Sequence, residues 1–132
     1  LLANGIKSLS DARTYIIGLW AGGTHNYMYS VSQYHIRENG VWRSNVVSAR
    51  TSAGLKDKKW HNGSSDTGRW DIVERSYRDT GERYFLLRFV GYDGGLVIDE
   101  NGDVSILRNQ SLYRVEFSRS PFDCYWMSSH QI

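Results

Sequence analysis

Tyr34-His35-Ile36-Arg37-Glu38-Asn39-Gly40-Val41-Trp42 is the stretch whose reading decides the fold. Asn-Gly between two runs of aromatic and β-branched residues is the strongest short-range hairpin signal, because a type I′ turn needs two positive φ angles and these residues tolerate them. The flanking runs, Tyr27 to Arg37 and Val41 to Arg50, have strand length and are expected to pair antiparallel.

The arrangement repeats downstream. Gly68 to Arg78 and Arg83 to Val90 flank Asp79-Thr80-Gly81-Glu82, and Gly95 to Asp99 and Val104 to Arg108 flank Glu100-Asn101-Gly102-Asp103. Leu112 to Ser118 reads as a further strand after Asn109-Gln110-Ser111, and Asp123 to Met127 as a closing one after Pro121. With a strand through Leu19, Trp20 and Ala21, about eight or nine antiparallel strands follow in order, enough for an up-and-down barrel to close and remove its edges. Before them, Ser8 to Ile16 reads as a short helix, with Ser8 as N-cap, Asp11 three residues on and Gly18 as its stop. The expected fold is all-β: a single antiparallel up-and-down β-barrel of about eight strands with a short N-terminal helix, one domain over residues 1-132.

Composition agrees with that class. Thirteen Gly, nine Tyr and five Trp stand against a single Pro, and aromatic residues suit a pleated, half-buried surface while glycines supply turns. The one cysteine, Cys124, cannot form an internal disulfide and reads as a buried, inert thiol. A net charge of +2, spread along the chain, gives no electrostatic case for nucleic acid. Without an apolar run long enough to cross a bilayer as a helix, no membrane insertion is expected. The absent initiator Met reads as a start inside a longer gene product, and the compartment stays open.

Alternation indicates the inward faces. Phe85, Leu87 and Phe89 form one face of their strand against Tyr84, Leu86 and Arg88, and Tyr113, Val115 and Phe117 alternate in the same way with Leu112, Arg114 and Glu116. Thr51 to Thr67, poor in apolar residues, is expected to be a surface loop or mobile flap.

Gly18-Leu19-Trp20, a Gly-x-Trp opening the first strand after a short helix, resembles the start of the calycin group, which includes lipocalins, fatty-acid-binding proteins and bacterial lipocalin-like domains. A second Gly-x-Trp, Gly68-Arg69-Trp70, opens a middle strand, and the hairpin from Tyr34 to Trp42 resembles the one that precedes it in bacterial lipocalin-like domains. The resemblance implies that Trp20 packs across one barrel end under a basic side chain from a late strand, Arg114 or Arg119. It does not extend to a Thr-Asp-Tyr element or a disulfide pair, which points to the looser lipocalin-like class.

Catalytic signals are thin. The histidines are scattered at 25, 35, 61 and 130, without a HExxH-type pair, and one cysteine cannot build a cysteine-rich zinc site. His35 reads as an ordinary strand histidine, with a base working beside Asp71 or Glu74 as the sharper alternative; His130, a late histidine of the kind that ligates haem in some lipocalin-like barrels, reads as tail. Asp99 to Asp103 imitates the start of a calcium loop, but Val104 and Gln110 stand where that loop needs Gly and Glu. Asn62-Gly63-Ser64 and Asn109-Gln110-Ser111 match the glycosylation acceptor and mark loops. Lys56-Asp57-Lys58-Lys59-Trp60-His61 reads as a solvated loop face, its cations diluted by Asp57 and Asp66.

The aromatic surplus is more telling, since an apolar body with a polar tip suits a ligand cavity. The leading expectation is non-catalytic binding of a small apolar or aromatic ligand, without cofactor or metal, in a barrel lined by some of Trp20, Tyr34, Trp42, Trp70, Phe85, Leu87 and Phe89. The alternative is a filled barrel acting as a protein-interaction or structural domain of a larger protein. An enzyme built on His35 stands third.

Overall fold

The computed structural model describes residues 5–25, 27–59, 63–107 and 110–115, and the backbone of 126–128. Cys124, Arg119, His130 and the Trp60-His61 pair lie outside the described residues. Helix α1 (Leu9–Ile16) is followed by strands β1 (Gly18–His25), β2 (Tyr29–Ile36) and β3 (Val41–Ala49), helix α2 (Ser52–Lys56), and strands β4 (Ser64–Ser76), β5 (Arg83–Phe89), β6 (Gly95–Asp99), β7 (Val104–Ile106), β8 (Gln110–Arg114) and β9 (Trp126–Ser128).

Strands β1 to β8 pair antiparallel in sequence order, and β8 returns to β1 through Trp20 opposite Arg114 and Ala21 opposite Tyr113. This is the closed, eight-stranded up-and-down barrel expected. Below that junction the short β9 runs parallel to β1, setting Trp126 to Ser128 beside Gly23 to His25.

Period-two alternation divides each strand between core and outer wall. Trp20, Trp42, Trp70, Phe85, Leu87, Leu96, Ile98 and Leu112 turn inward and pack in one cluster, with Phe85, Leu87, Leu96 and Ile98 at 0% exposure. A second cluster lies on the opposite face of β1 to β3, where Leu55 of α2 packs with Val31 and Val47.

Helix α1 stops one end of the barrel. Ser8 Oγ accepts the Asp11 N–H at 3.1 Å, supplying one of the orphan donors of the first turn, and Ala12 and Ile16 enter the barrel core. The chain ahead of the helix is anchored by the Ile6 N–H to the Glu100 carbonyl at 2.7 Å, and Tyr15 Oη donates to the Gly102 carbonyl at 2.8 Å.

Four expectations need correction. Only Gly40 in the β2–β3 turn has positive φ, at 84°. The turn is closed by the Gly40 N–H to Arg37 at 3.1 Å and the Arg37 N–H to Val41 at 2.9 Å, a left-handed glycine ending an ordinary turn rather than a type I′ pair. The β6–β7 turn repeats this with Gly102 at φ 93°. Gly68 does not open its strand but sits inside β4, which begins at Ser64, so the supposed flap contains both α2 and the start of a strand. On β8 the inward face is that of Leu112, 3% exposed, while Tyr113 is 45% exposed; Arg114 can share the inward face because it lies at the barrel end, where its charge reaches backbone carbonyls.

Candidate functional site

At the closed end, the Arg114 guanidinium lies 4.5 Å from the centre of the Trp20 ring and 5.1 Å from that of Tyr15. It donates to the Ile17 carbonyl at 2.9 Å and to the Tyr15 carbonyl, satisfying acceptors that the last turn of α1 leaves unpaired. Trp20 Nε1 donates to the Ile16 carbonyl at 2.8 Å. Gly18, at φ 137°, keeps this junction open, because a Cβ there would stand 2.7 Å from Arg114 Nη1. Of the two basic residues the resemblance offered, Arg114 occupies the position over the tryptophan.

Around that end runs a groove of about 850 Å³ lined by Tyr15, Tyr77, Arg83, Asp99, Asp103 and Arg114, among others. Several of its polar groups are tied to one another. Tyr77 Oη donates to Asp99 at 3.2 Å, Arg83 approaches Glu100 at 3.4 Å, and Asn101 donates to Asp103 at 3.0 Å. These contacts hold the hairpin turns together, and the groove lacks the largely apolar lining of a small-molecule site.

The opposite end differs. Tyr34 stacks on Phe89 with ring centres 5.5 Å apart, Trp42 lies 4.3 Å from Phe89, and Tyr92 of the β5–β6 turn meets Trp42 edge-on at 5.2 Å. The cluster thus passes from buried Phe89 and Trp42 to Tyr92, which is 50% exposed. Burial raises the Tyr34 hydroxyl above its usual range. Most of the exposed large hydrophobics among the described residues fall toward this end: Tyr27 and Met28 between β1 and β2, Val90 and Tyr92 between β5 and β6, Leu107 after β7, and Val46 on the inward face of β3.

Two local features shape this mouth. Gly68 stands opposite Trp42, and the indole lies over it so closely that a Cβ would be 3.0 Å from Nε1. Trp42 is 2% exposed, yet its Nε1 has no hydrogen-bond partner among the described residues. A buried donor left unmade costs about 1–3 kcal/mol. Trp70, by contrast, donates to the Arg37 carbonyl at 3.0 Å. Beyond Trp42 the inward face becomes polar: Ser44 faces Tyr34, Val46 faces Ser32, and Ser48 faces Ser30 with their hydroxyls 2.6 Å apart.

The seven residues singled out in the sequence all belong to or pack against one core cluster, and Tyr34, Trp42 and Phe89 are those of it that stack toward half-exposed Tyr92. Tyr92 and the serines were missed; the alternations Ser30-Val31-Ser32 and Ser44-Asn45-Val46 are the signal that carried the serines.

His35 lies on the outer wall, opposite Leu19 and Arg43. Burial, with Arg37 and Arg43 nearby, holds its imidazole below the ordinary range. Asp71 instead receives both Arg88 nitrogens, at 2.7 and 2.8 Å, which holds the carboxyl below its usual range, and Glu74 lies 3.6 Å from Arg83.

A closed eight-stranded barrel with a helix-stopped end and an arginine over the first-strand tryptophan is consistent with a calycin-like fold. Comparison with protein-family models, curated proteins and solved structures finds no match to the chain.

Proposed function

We propose that the protein is a non-catalytic, lipocalin-like binding module that holds a small aromatic ligand at the open mouth of its barrel. The observation that carries this reading is the aromatic cluster Tyr34, Phe89 and Trp42, which continues through half-exposed Tyr92 to solvent at the end opposite α1. An apolar floor with a few polar groups around it is the usual composition of a small-molecule site. The ligand stops at this floor, because Phe85, Leu87, Leu96 and Ile98 fill the barrel beneath it.

Titration of the purified protein with naphthalene, followed by quenching of tryptophan emission, tests the reading. Saturable quenching that Phe89→Ala weakens at least tenfold supports it. A linear, unsaturable response from a folded protein overturns it.

A further inference from the structure

On the outer wall, strands β2, β3 and β4 enclose a hollow of about 330 Å³ beside the β2–β3 turn. Its lining follows from the register. His35 stands opposite Arg43, and Arg37, two residues on from His35, shares its face and continues the pairing through its N–H to the Val41 carbonyl. Val41 contributes apolar surface, and Ser65 and Thr67 of β4 close the far side. The Thr67 hydroxyl donates to the Trp42 carbonyl at 2.8 Å, which leaves Ser65 as the hydroxyl on that side able to donate into the hollow.

Like charges set directly opposite one another destabilise a sheet, yet two guanidiniums and an imidazole share this one hollow. Among the described residues no ion pair ties Arg37 or Arg43 to Asp66 on the rim or to Glu38 in the turn. Arg69, opposite Val41, adds a third guanidinium at the edge, where a Cβ on Gly40 would stand 3.5 Å from its Nη2. Asp71, further along β4, is taken by Arg88. On the β1 side His35 meets Leu19, and Arg114 beyond it is engaged with the Tyr15 and Ile17 carbonyls. Arg37 and Arg43 add to burial in depressing the His35 imidazole, so the positive potential of the cluster is felt at that ring.

We propose that this hollow binds a tetrahedral oxyanion, the phosphate or sulfate group of a small molecule. Planar guanidinium forks match such oxygens, and Arg37 and Arg43 supply the charge-assisted hydrogen bonds. The volume stands at the lower end for a small-molecule site and suits an oxyanion with a short ester group. Once bound, the anion reverses the field at His35, which takes up a proton and becomes a further donor. The site lies outside the barrel and is independent of the mouth.

The test follows the His35 ring protons by NMR while inorganic sulfate is added at fixed ionic strength. Saturable shifts are expected, with a raised His35 pKa in the complex and tighter binding as pH falls, since sulfate keeps its charge across the range. Arg37→Gln and Arg43→Gln, both at exposed positions, should each weaken binding about tenfold, the lower end for one charge-assisted bond. Arg78→Gln, in the β4–β5 turn, should leave it unchanged. Methyl phosphate and methyl sulfate, compared in the same way, identify which ester the hollow prefers. Shifts that never saturate would overturn the proposal, and so would a loss in Arg78→Gln as large as in the two hollow variants, because net charge alone would then be at work. Acetate binding as tightly as sulfate would overturn the tetrahedral class.

Discussion

Trp20, Arg114 and Trp42 show how far a single side chain can be read before its neighbours are known. The Gly-x-Trp pattern marks Trp20, but its basic partner depends on the register of β8 against β1, which no short motif encodes. Arg114→Ala removes two charge-assisted bonds to the end of α1 and a cation held over two rings. A loss of about 1–3 kcal/mol is expected from the urea midpoint, and Arg114→Lys should recover little, because an ammonium lacks the planar fork that serves two carbonyls. Trp42 gives no warning in the sequence, since its close packing arises only when Gly68 is brought opposite it. Gly68→Ala drives a methyl against the indole edge and should lower stability by about 1–3 kcal/mol in thermal melts. His35 carries a pH dependence whose sign follows from its environment. Its folded pKa lies below the ordinary 6.5, so the unfolded chain binds more protons, and the stability at stake is complete above that value and lost as pH falls through the lowered one. His35→Gln should flatten that acid limb in denaturation midpoints measured across the range.

Among the elements, those bounded by turn chemistry were the legible ones. The hairpins β2–β3, β4–β5 and β6–β7 all stand where Asn-Gly or Thr-Gly punctuates the chain, and Gly40, Gly81 and Gly102 take the left-handed conformation there. Helix α1 was equally visible, through Ser8 and the stop at Gly18. Ser8→Ala should cost about 1 kcal/mol through the lost cap, and Ile16→Ala about 2–5 kcal/mol, because that side chain is fully buried against the barrel; a guanidinium titration of the two variants would rank them. The start of β4 was illegible for a physical reason. Ser64 to Thr67 are exposed, so no apolar alternation betrays the strand, and only pairing with β3 defines it. The inward face of β8 was obscured by Arg114, a charged residue whose end position makes it compatible with the core side.

For the whole molecule, sequential closure was readable because eight neighbouring strands need no crossover, whereas the character of the mouth was not, since it assembles from β2, β3, β4 and the β5–β6 turn at once. The barrel is also unevenly tied. Between β4 and β5 seven residue pairs run in register, while β8 meets β1 at two, with the Gln110 amide bridging to the Gly22 carbonyl at 2.9 Å below them. Amides of β5 and β6 should therefore exchange with solvent only on global unfolding, and those of β8 orders of magnitude sooner, in a deuterium-exchange time course.

Helix α1 has one more effect, on traffic rather than on strength. With that end stopped and the interior filled, the barrel is a cul-de-sac in which arrival and departure share a single door. Under the binding role proposed above, an occupant must leave before its successor can enter, so the release rate of bound naphthalene, followed by displacement, should stay constant however much competitor is added.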